Sequence, residues 1–189
     1  MLGTNLPVSA ELIPLYVGNS WKYKMLGQRG EPVSNRVIKS ARIDGTYWYG
    51  MEEWGDLYWV RSTDQGQEEA MNLFDIIDLP DDTKIEKRDV FYRIPKSLDE
   101  TLEYKASAGE MKARRLTEKV KVPAGEFDVI EYLYKESGDP GDLVMRTLIS
   151  PGVGIIRFET QDTSAESNTK AVYVLESYEL NRPVARTGG

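Results

Sequence analysis

A chain of 189 residues, 40% hydrophobic and 29% charged, fits one domain or at most two small ones and carries enough apolar mass to bury a core. Its net charge of -7 argues against a nucleic-acid binder, and no apolar run approaches the roughly 18 residues that cross a bilayer as a helix. Histidine and cysteine are both absent, which removes Ser-His-Asp and Cys-His nucleophiles, disulfides, thiol redox centres and zinc sites built on those residues. An enzyme would have to work with carboxylates, Lys, Tyr or a hard metal ion, so the expectation is a non-catalytic chain without cofactor or metal. The N-terminus lacks a charged segment followed by an apolar one, so no signal peptide is visible. That leaves both a cytosolic chain and an exported one whose signal has been removed.

Residues 1–10 and 181–189 read as flexible ends around one β domain over 11–180. The domain opens on residues 13–24, Ile-Pro-Leu-Tyr-Val-Gly-Asn-Ser-Trp-Lys-Tyr-Lys, where Pro14 ends what precedes, a polar turn follows, and an apolar/charged alternation starts a strand. A weaker copy over 94–105 keeps the Ile-Pro start, the hydroxyl residue and the Tyr-Lys end, so a two-part internal repeat starting near 13 and 94 is expected. Helical periodicity is nearly absent. Period-two runs predict strands near 20–27, 35–43, 46–54, 57–63, 68–77, 88–93, 101–106, 112–122, 127–135, 143–150, 154–160 and 170–180. The segment 68–79 also suits a short helix, because Ala70, Met71, Leu73, Phe74, Ile76 and Ile77 could line one face. The predicted class is all-β: a strongly curled antiparallel meander, as an open barrel or sandwich, with at most one short helix.

The sharpest local expectation is a meander over 35–63. Asp44-Gly45 between alternating strands signals a type I′ hairpin, which sets Ile43 opposite Thr46, Ala41 opposite Trp48, Ile38 opposite Met51 and Arg36 opposite Glu53. A second tight turn at Gly55-Asp56 would set Trp54 opposite Leu57, Glu53 opposite Tyr58 and Glu52 opposite Trp59. One face then gathers Val37, Ala41, Ile43, Trp48, Trp54, Leu57 and Trp59, with Glu52 and Arg61 among them. Later, Val122-Pro123-Ala124-Gly125-Glu126-Phe127 and Ser150-Pro151-Gly152-Val153-Gly154 are chain reversals.

The pattern Pro14-Leu15-x-x-Gly18-x-x-Trp21-x-Tyr23 resembles the opening of a broad group of uncharacterised bacterial cell-envelope and lipoprotein-type β domains. The likeness continues at residues 122–129, at Pro151-Gly152-Val153-Gly154 and at Leu175-Glu176-Ser177-Tyr178, and covers roughly residues 12–180 in the same order. It implies a curled antiparallel sheet and a location in the cell envelope or outside the cell, and it carries over no catalytic residue.

The Trp48, Trp54 and Trp59 face reads either as core or as a platform for a small apolar or carbohydrate ligand, with Glu52 and Arg61 as an ion pair or as polar anchors. The leading expectation is a non-catalytic envelope or secreted module that binds such a ligand or a protein partner. Two alternatives stand beside it: an assembly module that pairs through sheet edges, and a His-free carboxylate hydrolase. Adjacent Glu52 and Glu53 point to opposite faces and cannot flank one bond. The acidic loops at Asp78/Asp81/Asp82 and Glu136/Asp139/Asp142 lack EF-hand spacing and read as solvated, as do Arg114-Arg115 and Lys119/Lys121.

Overall fold

The computed structural model describes residues 11–27, 32–138, 141–163 and 169–181. Twelve of its strands form one antiparallel sheet: β1 (Ser20–Met25), β2 (Val33–Ile43), β3 (Thr46–Glu53), β4 (Asp56–Ser62), β5 (Gly66–Ala70), β6 (Arg88–Arg93), β7 (Thr101–Ala106), β8 (Gly109–Arg115), β11 (Ile130–Ser137), β12 (Asp142–Ser150), β13 (Gly154–Asp162) and β14 (Thr169–Glu179). Two short strands, β9 (Val120–Val122) and β10 (Gly125–Phe127), make a separate hairpin. The order β6-β5-β4-β3-β2-β1-β14-β13-β12-β11-β8-β7 curls into a nearly closed barrel, so the curled all-β expectation holds.

The period-two pattern located nearly every strand. The expected strand over 112–122 ends at Arg115 in β8 and resumes at β9, and that over 127–135 divides between β10 and β11. The ambiguous segment 68–79 is neither one strand nor a helix along its length: β5 stops at Ala70, a single 3-10 turn spans Met71–Leu73, and an irregular stretch runs on to β6. The expected flexible ends lie outside the described residues, apart from Asn181, whose backbone N–H donates to Asn19 Oδ1 at 2.6 Å.

The motifs that carried the resemblance are spatially one unit. The N–H of Gly18 donates to Val37 O, and the N–H of Val37 donates to Asn19 O, both at 2.9 Å. The buried Asn19 amide donates to Pro14 O at 2.8 Å. From β1, the Trp21 indole donates to Val153 O at 2.6 Å and the Tyr23 hydroxyl to Ile155 O at 3.1 Å, both in the Pro-Gly-Val-Gly region. Gly154 has φ +115°, and a Cβ there would lie 2.9 Å from the Trp21 indole nitrogen, so Gly meets both the backbone and the packing requirement. The β9–β10 hairpin joins the same end, with the Ala124 N–H donating to Leu175 O at 3.1 Å. These bonds tie the start of the chain to β2, to the reversal before β13 and to β14.

The main core lines one face of the sheet, with Trp21, Tyr23, Val37, Met51, Val60, Tyr92, Tyr132 and Tyr134 among its members. A second, smaller cluster of Ile43, Trp48, Trp59, Ala70 and Leu73 packs with Leu79 and Ile85. Alternation along β3 and β4 puts it on the opposite face from Met51 and Val60. Residues between β5 and β6 cover it: Trp59 Nε1 donates to Ile76 O at 2.8 Å, and the Asn72 side chain holds Lys84 O, Glu86 N and Lys87 N.

Candidate functional site

The Asp44-Gly45 hairpin forms as expected, with φ of 50° and 78°, and Ile43 faces Thr46 while Ala41 faces Trp48. Beyond that point two expectations fail. A bulge between Val37 and Lys39 brings Val37 opposite Met51 and Arg36 opposite Glu52. Beside the bulge, two backbone bonds tie Val37 to the Gly18-Asn19 turn. The next turn sits one residue earlier than expected, so Glu53 faces Asp56, Glu52 faces Leu57 and Met51 faces Tyr58. Trp54 takes the turn position with φ 56°, unfavourable for a bulky residue. Its backbone N–H donates to the buried Asn35 side chain at 3.0 Å, and its ring lies 4.7 Å from Tyr23, 4.9 Å from Phe158 and 5.0 Å from Tyr173. Tertiary packing thereby overrides the local preference for Gly-Asp.

Of the five residues singled out from the sequence, Trp48, Glu52, Trp59 and Arg61 keep to one face of β3 and β4, and Trp54 leaves it. Trp48 and Trp59 are fully buried in the smaller cluster, while Trp54 packs in the main core. Glu52 and Arg61 do not pair: Glu52 binds Arg36 Nε at 2.5 Å, and Arg61 binds Glu68 at 2.5 Å with its guanidinium 4.9 Å from the Trp48 ring. Arg61 also borders a cleft. The acidic and basic loops are partly engaged as well: Asp78 binds Lys39, Asp142 binds Lys135, and Arg114 binds Glu131, while Asp139 lies outside the described residues.

Sequence reasoning passed over two carboxylates that the fold brings to the main-core face. Glu53 continues the alternation of Tyr49 and Met51, and Glu69 sits opposite Val60 on β4 and Asp89 on β6. Burial, then the Glu69 charge, pushes the Glu53 carboxyl up to about 7. The Trp54 indole opposes this shift, although its N–H meets no acceptor in hydrogen-bonding geometry. Burial, then Asp89, pushes Glu69 up to about 7. Both carboxylates keep some accessible surface, and among the described residues neither has a Lys or Arg partner. Tyr23, Tyr58 and Tyr92 surround them, each hydroxyl raised first by its own burial and then by Glu53. Two buried amide atoms close by, Asn35 Nδ2 and Gln67 Oε1, also lack partners. The signal was present in the pairs Glu52-Glu53 and Glu68-Glu69, since one member of each adjacent pair on a strand must face inwards.

A separate cleft of about 420 Å³ lies between the N-terminal segment and the tips of the β2–β3 and β4–β5 hairpins. Glu11, Leu15, Thr46, Tyr47, Tyr49 and Arg61 line it, together with the polar turn Ser62-Thr63-Asp64. Tyr47 is 61% exposed, the most open of the large hydrophobic side chains described. Glu11 is raised from its ordinary value by burial, against the backbone N–H of Leu15. Another depression, of about 470 Å³, lies on β7, β8 and β11, where Glu103, Lys105, Glu110, Lys112 and Lys135 make a mixed charged surface.

No protein-family model and no curated protein matches the chain. Two solved structures are similar to it. One is a "putative lipoprotein" from Parabacteroides distasonis, 14% identical, with 90% of this chain and 99% of that chain covered at a TM-score of 0.44. The other is a "putative exported protein with YmcC-like fold" from Bacteroides fragilis, 18% identical, with 90% and 100% covered at a TM-score of 0.47.

Proposed function

We propose that the chain is a non-catalytic binding module of the cell envelope or of the secreted fraction, and that the cleft beside Tyr47 takes a carbohydrate-like ligand. The supporting observation is the make-up of that cleft: two tyrosine rings, one largely exposed, among Glu11, Thr46, Arg61, Ser62, Thr63 and Asp64. A sugar ring presents an apolar face that an aromatic side chain covers, and hydroxyls that need donors and acceptors in alternation. Acceptors come from Glu11 and Asp64, and donors from Arg61 and the hydroxyl residues. The envelope part of the reading rests on the sequence resemblance over residues 12–180.

The edge-pairing alternative is less favoured, because β6 and β7, the two ends of the sheet, face each other. The test is a titration of the full chain with a panel of soluble oligosaccharides, followed by NMR of the tyrosine rings and by calorimetry. Binding that perturbs Tyr47 and Tyr49 and weakens at least tenfold in Tyr47→Ala is expected, a loss of about 1.4 kcal/mol. A panel without any binder, or binding that Tyr47→Ala leaves intact, overturns the assignment. Hydrolysis of any panel member would overturn the non-catalytic part.

A further inference from the structure

The barrel stops one step short of closure. Strands β6 and β7 are consecutive in the chain and form the two ends of the sheet, and among the described residues no backbone hydrogen bond joins them. Side chains span the gap instead. The Tyr104 hydroxyl donates to Phe91 O at 2.9 Å and accepts from the Arg93 N–H at 3.0 Å. The Arg93 guanidinium stands 4.7 Å from the same ring, and the Tyr132 hydroxyl donates to Arg93 O at 3.0 Å. The last tie is the Ser107 N–H, which donates to Asp89 Oδ2 at 2.8 Å.

Among these hydrogen-bonded ties only the last uses a carboxylate, and the β5–β6 register places Glu69 directly opposite that same Asp89. The titratable groups acting on or facing Glu69 are Asp89 on β6, Glu53 on β3, Tyr58 on β4 and Tyr92 on β6, and none is a cation. We propose that the β6–β7 seam is a pH-sensitive joint, which tightens when Glu69 holds a proton and loosens when it releases one. With Glu69 neutral, Asp89 is the only charge of the opposed pair and serves as a strong acceptor for Ser107. With Glu69 ionised, two carboxylates stand side by side on neighbouring strands, an arrangement that costs free energy. Rotation of Asp89 towards water relieves the repulsion and frees the Ser107 N–H. The seam is the part of the wall that can yield, because every other strand boundary in the sheet carries a backbone ladder. Burial holds the Glu69 proton up to about 7, which puts the transition near neutrality. Behind the seam lie Phe91, Tyr92, Tyr132 and Tyr134, so loosening would admit water to the aromatic side of the core.

Native-state hydrogen exchange on the full chain tests this. Corrected for intrinsic rates, protection of the Ser107 amide should fall about tenfold between about pH 5.5 and 8.5, while that of Tyr23 in the central ladder stays constant. In Glu69→Gln the fall should vanish, and in Glu53→Gln it should persist. The Glu69 side-chain carbon of the unmodified chain should titrate with the same midpoint as the Ser107 protection, a readout that needs no variant. Constant Ser107 protection, a fall that survives Glu69→Gln, or a mismatch of midpoints overturns the proposal.

Discussion

Two regions of one sheet treat a buried carboxylate in opposite ways. On β11, Glu131 is almost sealed, with 3% of its side chain accessible, and is gripped by Arg114 at 2.6 Å and Arg146 at 2.7 Å. Burial alone would raise its carboxyl, but the two guanidinium groups outweigh that and hold it below the ordinary range. Arg146 also reaches Glu159 at 2.9 Å, which Arg157 and Lys170 contact in turn, so the charge belongs to a network. On β3 and β5, Glu53 meets tyrosines and the Glu69 charge, Glu69 meets the Asp89 charge, and both are raised to about 7. Burial is common to the two regions. What separates them is whether the neighbouring strand supplies an arginine.

The difference has measurable consequences, of which the largest should come from Glu131→Gln. Removing the charge and one of the two oxygens that accept from Arg114 and Arg146 should cost about 3 kcal/mol in urea unfolding at neutral pH. A cost below about 1 kcal/mol would show that the network is dispensable. Because Glu131 is lowered in the folded state, its stabilisation holds above the ordinary carboxylate range and disappears as pH falls through that range and below.

The next effect has the opposite sign. Glu53 is raised in the folded chain, so the folded state keeps a proton that the unfolded chain gives up, and stability drops as pH climbs from about 4.5 to beyond about 7. Glu53→Gln should therefore stabilise the protein by about 2 kcal/mol near pH 8 and change little near pH 4. Equal unfolding curves at both pH values would erase the contrast with Glu131. The smallest effect sharpens a related contrast between the two tryptophan sites. Trp59→Phe loses the bond to Ile76 O and should cost about 1–2 kcal/mol. It should also speed proteolysis around Phe74 and Ile76, while near-ultraviolet signals from Trp54 in the main core stay unchanged. Loss of the Trp54 signals would show that the two clusters are coupled.

Much of the strand plan was readable because alternation is a local property. The Asp44-Gly45 turn, the 122–127 hairpin and the reversal at 150–154 all follow from residues that must accept positive φ or preset a bend. The face that joins Trp48 and Trp59 was readable for the same reason, but the places of Val37 and Trp54 were not. A bulge in β2 shifts Val37 where it bonds to the Gly18-Asn19 turn, and the aromatic group of Tyr23, Phe158 and Tyr173 packs around Trp54 in a turn position that glycine would occupy more easily. The two copies of the opening segment show the same divide. Tyr23 and Tyr104 both send a hydroxyl to a backbone carbonyl, but one lies in the middle of the sheet and the other bridges its open seam.

The sequence by itself determined the all-β class, most strand positions, the tight turns and the exclusion of histidine and cysteine chemistry. Each of these depends on composition or on neighbours within a few residues. Only the tertiary structure decided which carboxylates meet arginines, where the barrel fails to close and which aromatics fall together. Those outcomes depend on register between strands far apart in the chain, where a single bulge moves a side chain to the other face.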